Sequence, residues 1–429
     1  AEAEVLPSCA IEILLRSGSS YVPGDKTWSK WRTESRIGKP VGRYLQIKLR
    51  LTTDSPLKTP RLKSISIRAE PEQTGNWTSG IRIVEHHNQE IVRTGMPFRY
   101  EPFDHPKLKT LRTRFKLDEV VKGADNEFEL MLRLANWAST WGGAGKKNRV
   151  GLGTKGPGYP PWDALEILKP MPDGKVWGGF CQQYNLVLLQ ACESFGIPGR
   201  AVSIGGPPAA RGGHEVVELW SNQFKKWVYV DGDFNFAVLD SQRRPLSLLE
   251  LWEEQVRVMN QKQEPQDVQF AGPGAKQAAS MVRERGMYRL LRFISRSNFL
   301  VQAFPLPLNQ GMRGWFWNGH YVWDDPRFPE NRLYENRLLR REDVEWTLNQ
   351  AHFVLEALET PGQLRVHLDT ETPGFETFLL RLDGKAENAV PNTFVWPLHQ
   401  GRNRMEVWPR NIAGREGIKS WIVVDYEDP

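Results

Sequence analysis

The sequence has few cysteines, no long apolar runs and no regular repeats, and each shortage removes a class of protein. Three cysteines, Cys9, Cys181 and Cys192, occur in 429 residues. Cys181 and Cys192 fall on one predicted helix, about 16 Å apart at the usual rise, which is too far to bridge. At least one thiol is therefore free, and a disulfide framework is excluded. His86, His87 and His320 show no zinc-ligand spacing with the cysteines, so no metal and no cofactor is expected. No stretch reaches the roughly 20 apolar residues of a membrane-crossing helix. There is no repeat of fixed period and no low-complexity tract. Neither sign of charge dominates, since 57 basic against 51 acidic residues leave a net +6. RLLRR at 337–341 reads as a solvated helix face, and no basic run interleaved with aromatics marks a nucleic-acid site.

What is present is the composition of a globular chain, 40% hydrophobic and 25% charged, long enough for about two to four domains. Seventeen tryptophans stand out. They are densest where Trp315, Trp317 and Trp323 interleave with His320, Tyr321, glycines and asparagine. Such a stretch suits a wall that stacks on sugars or clamps a peptide, or equally a loop packed on the core through its rings. His320 and Asp324 are a candidate second acid/base pair there.

The ends of the chain alternate in strand fashion. CAIEILLR, GRYLQIKLRLTT and LKSISIRAE, separated by Gly, Pro and Asp turns, predict an antiparallel β-sandwich, and the second and third of these look similar to discoidin-like modules. QLRVHLDT, FETFLLRLDG, TFVWPLHQGRNRMEVWPRN and KSWIVVDYE resemble an immunoglobulin-like module without a cysteine pair. Residues 71–127 read as a mixed connector. Helical spacing appears in FELMLRLANWASTW, in SLLELWEEQVRVMNQ, in the stretch from GPGAKQ to LLRFISRSN, and in DVEWTLNQAHFVLEALE before Pro361 and Gly362. WGGAGKKNRVGLGTKGPGYPPW lacks a phosphate-binding pattern and reads as a surface loop, a rim or a lid.

Chemistry concentrates in residues 176–235. Gly178 and Gly179 permit a sharp turn, after which Cys181 opens an apolar run ended by Gly196 and Pro198. A thiol in the first turn of a helix feels the positive end of the dipole and unpaired N–H groups, which favour thiolate and can receive an oxyanion. HEVVELW and KWVYVD then predict a hairpin. With Asn222 and Gln223 as a two-residue turn, Glu218 pairs with Trp227, Val216 with Tyr229 and His214 with Asp231. Asp231 would then orient the imidazole while its other nitrogen faces Cys181, the logic of a thiol triad. A slip in register would bring in Asp233 or Asn235 instead.

Taken together, Gly179-Phe180-Cys181, Gly196-Ile197-Pro198-Gly199-Arg200, His214-Glu215 and the run from Trp227 to Asp231 resemble the transglutaminase-like superfamily of papain-fold thiol enzymes. The resemblance covers about 128–252 and implies a Cys, His, Asp order of functional residues. Two positions depart from the family pattern: Gly232-Asp233 follows Asp231 where proline is common, and Lys175 stands where papain-like relatives often place an oxyanion-binding glutamine.

The expectation is an α+β protein. It would have a transglutaminase-like/papain-like core at 111–358, an N-terminal β-sandwich at 1–110 and a C-terminal Ig-like antiparallel β-sandwich at 359–429. Its expected activity is hydrolysis of a peptide or glycan-linked amide by Cys181, His214 and Asp231. Trp177, Tyr184, Trp315, Trp317, His320 and Trp323 are the candidate substrate-binding residues. The alternatives are a carbohydrate-active lyase or hydrolase using His and Tyr proton transfer, and a silent scaffold. The expected partner is a peptide or polysaccharide substrate. The opening AEAEVLPSCA reads as processed or trimmed, and a secreted or periplasmic location is expected.

Overall fold

The computed structural model describes residues 2–18, 28–33, 44–55, 58–67, 78–140, 149–150, 163–170, 176–177, 181–205, 213–261, 268–274, 287–298, 300, 320–324 and 336–428. Its helices are α1 (Pro106–Arg114), α2 (Leu117–Val121), α3 (Glu127–Ser139), α4 (Ala164–Ile167), α5 (Cys181–Glu193) and α6 (Leu248–Gln261). None among the described residues is long and apolar enough to cross a membrane.

The middle of the chain is built on an eight-stranded sheet. Its spatial order is Gln269–Ala271, Phe236–Leu239, Lys226–Asp231, Gly213–Ser221, Gly199–Gly205, Leu290–Ile294, His320–Trp323 and Arg337–Leu338. Neighbours are antiparallel except for the last pair. The central strands are apolar on both faces, as a sheet covered on both sides requires. On one face Val217, Leu219, Val228 and Val230 join α3 and α5 in a single buried cluster. On the other, Val216, Trp220, Trp227 and Tyr229 join α6 and Trp346. Through this second layer runs a buried ion pair. Arg200 donates through Nε to Glu218 Oε2 at 2.8 Å and through Nη1 to the Val344 carbonyl at 2.6 Å. Its guanidinium lies over the Trp227, Phe293 and Trp346 rings.

The helices begin where the sequence supplies caps. Asn126 accepts from the Glu129 N–H at the start of α3, within the expected FELMLRLANWASTW helix. α5 begins at Cys181 as expected and closes with Gly196 at φ +71°, where the Ile197 N–H returns to the Cys192 carbonyl. Asn411, the last residue of the strand Gly401–Asn411, reaches this end of α5 too, its Nδ2 donating to the Gly196 carbonyl at 3.0 Å.

Toward the C-terminus, a three-stranded sheet (Ala351–Ala357, Gln363–Thr370, Thr393–Pro397) packs against a five-stranded one. The second contains Asn388–Val390, Phe375–Leu382, Gly401–Asn411, Ser420–Tyr426 and Ile81–His87. Phe353, Val366, Trp396, Val407 and Val424 fill the space between them. Near the N-terminus the described residues form two antiparallel pairs, Glu2–Glu4 with Arg61–Ser64 and Cys9–Gly18 with Tyr44–Thr53.

Three local expectations are corrected. The helix read into DVEWTLNQAHFVLEALE is replaced by a short 3-10 turn at Arg341–Asp343 and the strand Ala351–Ala357. Ala351 and Phe353 are buried while His352 and Val354 are half-covered, a period of two that good helix formers such as Leu, Glu and Ala conceal. Leu290–Ile294 is likewise a strand, claimed by pairing with Gly199–Gly205 and His320–Trp323. The segment read as a connector carries Ile81–His87, which joins the edge of the C-terminal sheet, and also α1 and α2.

Candidate active site

Cys181 opens α5 on one face of the eight-stranded sheet. His214 lies on a strand whose next inward residues, Val216 and Trp220, belong to the opposite layer. The two meet at the open end of the sheet, where the Glu215 backbone N–H donates to Cys181 Sγ at 3.3 Å. On the other side of His214, Nε2 lies 2.7 Å from Asp231 Oδ2. The Cys181 sulfur also lies near enough to the ring to favour its protonated form. Phe234 stacks on the imidazole, with ring centroids 4.9 Å apart and planes at 29°.

The hairpin register differs from the expected one. Ser221 pairs with Lys226, Trp220 with Trp227 and Glu218 with Tyr229, so the connection has four residues, and Lys225 takes a left-handed φ of 56°. Continued by one step, this register sets Asp231 opposite Val216, with His214 two residues further along. A displacement by two keeps every side chain on its face, whereas a displacement by one would have reversed them. His214 and Asp231 therefore meet as diagonal neighbours. Asp233 and Asn235, the alternatives to Asp231, are placed otherwise. The Asp233 N–H donates to Asp231 Oδ1 at 2.9 Å, and Asn235 reaches Asn136 at 2.8 Å.

The surroundings of the pair fix its charge. Burial disfavours an imidazolium at His214, but the Asp231 carboxylate and the Cys181 sulfur outweigh it and hold the His214 pKa well above 6.5. Burial likewise pushes Asp231 up, whereas His214 and the Phe234 and Asp233 N–H groups pull it below 3.8. A second donor reaches the same carboxylate, Tyr229 Oη at 3.2 Å from Oδ2, and Tyr288 Oη donates in turn to Tyr229 at 3.3 Å. Burial keeps both phenols protonated, with pKa values above 10. A ring held this way can exchange a proton with the sulfur while its outer nitrogen stays paired.

Sequence reasoning missed Tyr229, Tyr288 and Asn185. Tyr229 was accessible, being two residues before Asp231 and hence on its face. Asn185 was accessible as the residue one helical turn after Cys181. Tyr288 lies in another strand's approach and left no local signal.

Of the other expected site residues, Tyr184 is buried in the helix-side cluster. Trp323 packs edge-on against Trp252, with centroids 5.9 Å apart, and His320 is buried on the same strand. Asp324 pairs with Arg337 at 3.0 Å. Trp315, Trp317, Lys175 and the Gly178-Gly179 turn lie outside the described residues, as does the side chain of Trp177. Among the described residues no group of three or more His, Cys, Asp or Glu is placed to hold a metal ion.

No curated protein matches this chain. The stretch from just before α2 to the glycine after Asp231 contains Cys181, His214 and Asp231. The chain carries a domain of the transglutaminase-like superfamily, which residues 115–232 match.

Proposed function

We propose that this protein is a thiol-dependent hydrolase that cleaves an amide bond in a peptide or glycan-linked substrate. Cys181 is the nucleophile, His214 the base and then the acid, and Asp231 the group that orients and charges the ring. The observation that carries this reading is the imidazole bonded to Asp231 at 2.7 Å, with the N–H of the next residue, Glu215, donating to the Cys181 sulfur that opens a helix.

In this mechanism the Cys181 proton passes to His214, and the thiolate adds to the amide carbonyl carbon. The imidazolium protonates the departing amine as the C–N bond breaks, leaving a thioester. His214 then takes a proton from water, the hydroxide adds to the thioester, and breaking the C–S bond releases the acid and restores the thiol pair. Backbone N–H groups in the first turn of α5 would receive the oxyanion, with the helix dipole adding to their effect. Hydrolysis is preferred over cross-linking because no sequence feature marks a site for an acceptor amine.

Around this core we take the organisation to be an N-terminal sandwich at 1–110, a core at 111–358 and an Ig-like sandwich at 359–429. The strands 81–87 and 351–357 are lent to the last of these. The substrate wall is assigned to Trp177, Trp315, Trp317 and Trp323, since Tyr184 and His320 are buried, and the location to outside the cytoplasm.

The test is alkylation of Cys181 by iodoacetamide near neutral pH, mapped by peptide mass spectrometry. Fast labelling that is lost in His214→Ala is expected. A slow thiol indifferent to His214 would refute the thiol reading, and glycan cleavage retained by Cys181→Ala would move the choice to carbohydrate chemistry. Peptide and polysaccharide panels read by product mass then name the substrate class.

A further inference from the structure

Cys181, His214 and Asp231 come from a helix start, a strand start and a strand end, and their separation has to be held to a fraction of an ångström for proton transfer. One side chain touches all three segments. Asn185 is buried one helical turn after Cys181, and its Nδ2 donates to the Cys181 carbonyl at 3.0 Å and to the Glu215 carbonyl at 2.6 Å. Its Oδ1 accepts from the Gly232 N–H at 2.8 Å. Glu215 directly follows His214 and Gly232 directly follows Asp231. Each of the three residues is thus tied to Asn185 through its own peptide group or the next one.

The neighbourhood is shaped for this contact. A Cβ at position 232 would stand 3.0 Å from Leu188 Cβ and 3.1 Å from the Tyr184 carbonyl. Glycine after Asp231 therefore lets the chain pass against α5, close enough for its N–H to reach Asn185. That accounts for Gly232 standing where the family often has proline, which would also remove this N–H. Asparagine is a weak helix former, and position 185 lies within an apolar stretch that continues Leu186, Val187, Leu188, Leu189. A position that only filled the core would gain more from a leucine there. Only a primary amide of this length supplies two donated bonds and one accepted bond together.

We propose that Asn185 is the positioning residue of the thiol site, a brace that sets the distance from Cys181 to His214 and keeps Asp231 behind the ring. This inference rests on the thiol reading above. Removing the brace lets α5 and the hairpin relax independently, so the sulfur loses its fixed relation to the imidazole even where the fold survives.

The experiment is Cys181 alkylation by iodoacetamide in the full chain from about pH 5 to pH 9. Wild type, His214→Ala, Asn185→Ala and Asn185→Asp are compared, each with a thermal melt. Asn185→Asp keeps the size and the acceptor for Gly232 but loses both donated bonds, so it carries the test where the alanine variant does not fold. Expected is a cooperative melt with labelling near neutral pH slowed by roughly 10–100-fold, the scale of an ångström-level misplacement. The pH profile should also lose its His214-dependent limb and approach that of His214→Ala. A variant that melts lower but keeps the wild-type rate and profile would make Asn185 a stability residue only and overturn the proposal. A wild-type thiol already slow and indifferent to His214→Ala would sink the thiol reading and this inference with it.

Discussion

Asp231 reaches the His214 ring diagonally, with Oδ2 2.7 Å from Nε2, although the hairpin register sets it opposite Val216. A diagonal contact between strands tolerates less movement than a direct one, since the partners must lean toward each other along the strands. Asp231 is accordingly held by the Asp233 and Phe234 N–H groups on its other oxygen, at 2.9 and 3.0 Å.

Asp231→Asn keeps this shape and removes the charge. His214, deprived of the carboxylate that outweighs its burial, should fall from well above 6.5 toward or below that value. Cys181 labelling near neutral pH should slow by about 10²–10⁴-fold, as for loss of the orienting carboxylate in other triads. An NMR titration of the His214 ring checks the first expectation and alkylation kinetics the second. An unchanged ring titration would refute the assignment of Asp231 as the charging group.

The same pair gives stability a pH window. His214 has a raised pKa, so its contribution is complete below 6.5 and is lost as pH rises through the folded value. Asp231 has a lowered pKa, so its contribution is complete above 3.8 and is lost as pH falls through the folded value. Melting temperatures of wild type and Asp231→Asn should therefore differ most between about pH 4 and pH 6.5 and converge on either side. A difference independent of pH would show that the carboxylate acts by packing alone.

Much of this was legible because residue type and local order carry it. Cys181 after two glycines, the apolar run of α5 and the β-branched hairpin each announced their element. The register was not legible, because a four-residue connection with Lys225 in the left-handed region carries no Asn-Gly or Asp-Gly signal. It survived as a prediction of the His214 and Asp231 pairing only because the displacement was even. The place of Asn185 one turn after Cys181 was legible, but its bonds to Glu215 and Gly232 were not, because those partners are backbone groups 30 and 47 residues away, which no side-chain pattern marks. Ala351–Ala357 was misread because its helix-forming residues form a strand once they face the Gln363–Thr370 strand.

Tyr229→Phe removes a donor from Asp231 and a partner from Tyr288 while keeping the ring that packs on Phe236 at 5.7 Å. Loss of a buried hydrogen bond with its partner left in place should cost about 1–3 kcal/mol. Thermal or urea unfolding measures it. Labelling of Cys181 should slow only a few-fold, because the Asp231 bond to His214 persists. A rate loss as deep as that of Asp231→Asn would promote Tyr229 to a direct role in charging the ring.

The Arg200 and Glu218 pair is fully buried, and Glu218 Oε1 also accepts from the Leu248 N–H at 2.7 Å at the start of α6. Glu218→Ala leaves the guanidinium without its counter-charge among Trp227, Phe293 and Trp346. It should destabilise by about 3–5 kcal/mol, enough to remove most of the folded population of a marginal domain. Replacing both residues by apolar side chains of similar volume should recover part of the loss. A denaturant melt in which the single variant matched wild type would show that the charge finds water.

Glu193, at the end of α5, sets the behaviour in alkali. Burial raises its carboxyl from 4.5 to about 8, against the opposing pull of Asn298, which hydrogen-bonds to it, and of nearby Ser297. The folded state thus holds a proton that the unfolded chain releases above its ordinary value. Stability from this group is complete below 4.5 and declines as pH rises to about 8, at roughly 1.4 kcal/mol per pH unit at most. Glu193→Gln mimics the neutral acid and can still accept from Asn298 Nδ2, which lies 2.7 Å from Oε2. The variant should match wild type near pH 5 and melt higher than wild type at pH 8. Melts across that range check the slope, and parallel curves for the two proteins would show that Glu193 is already ionised in the folded chain.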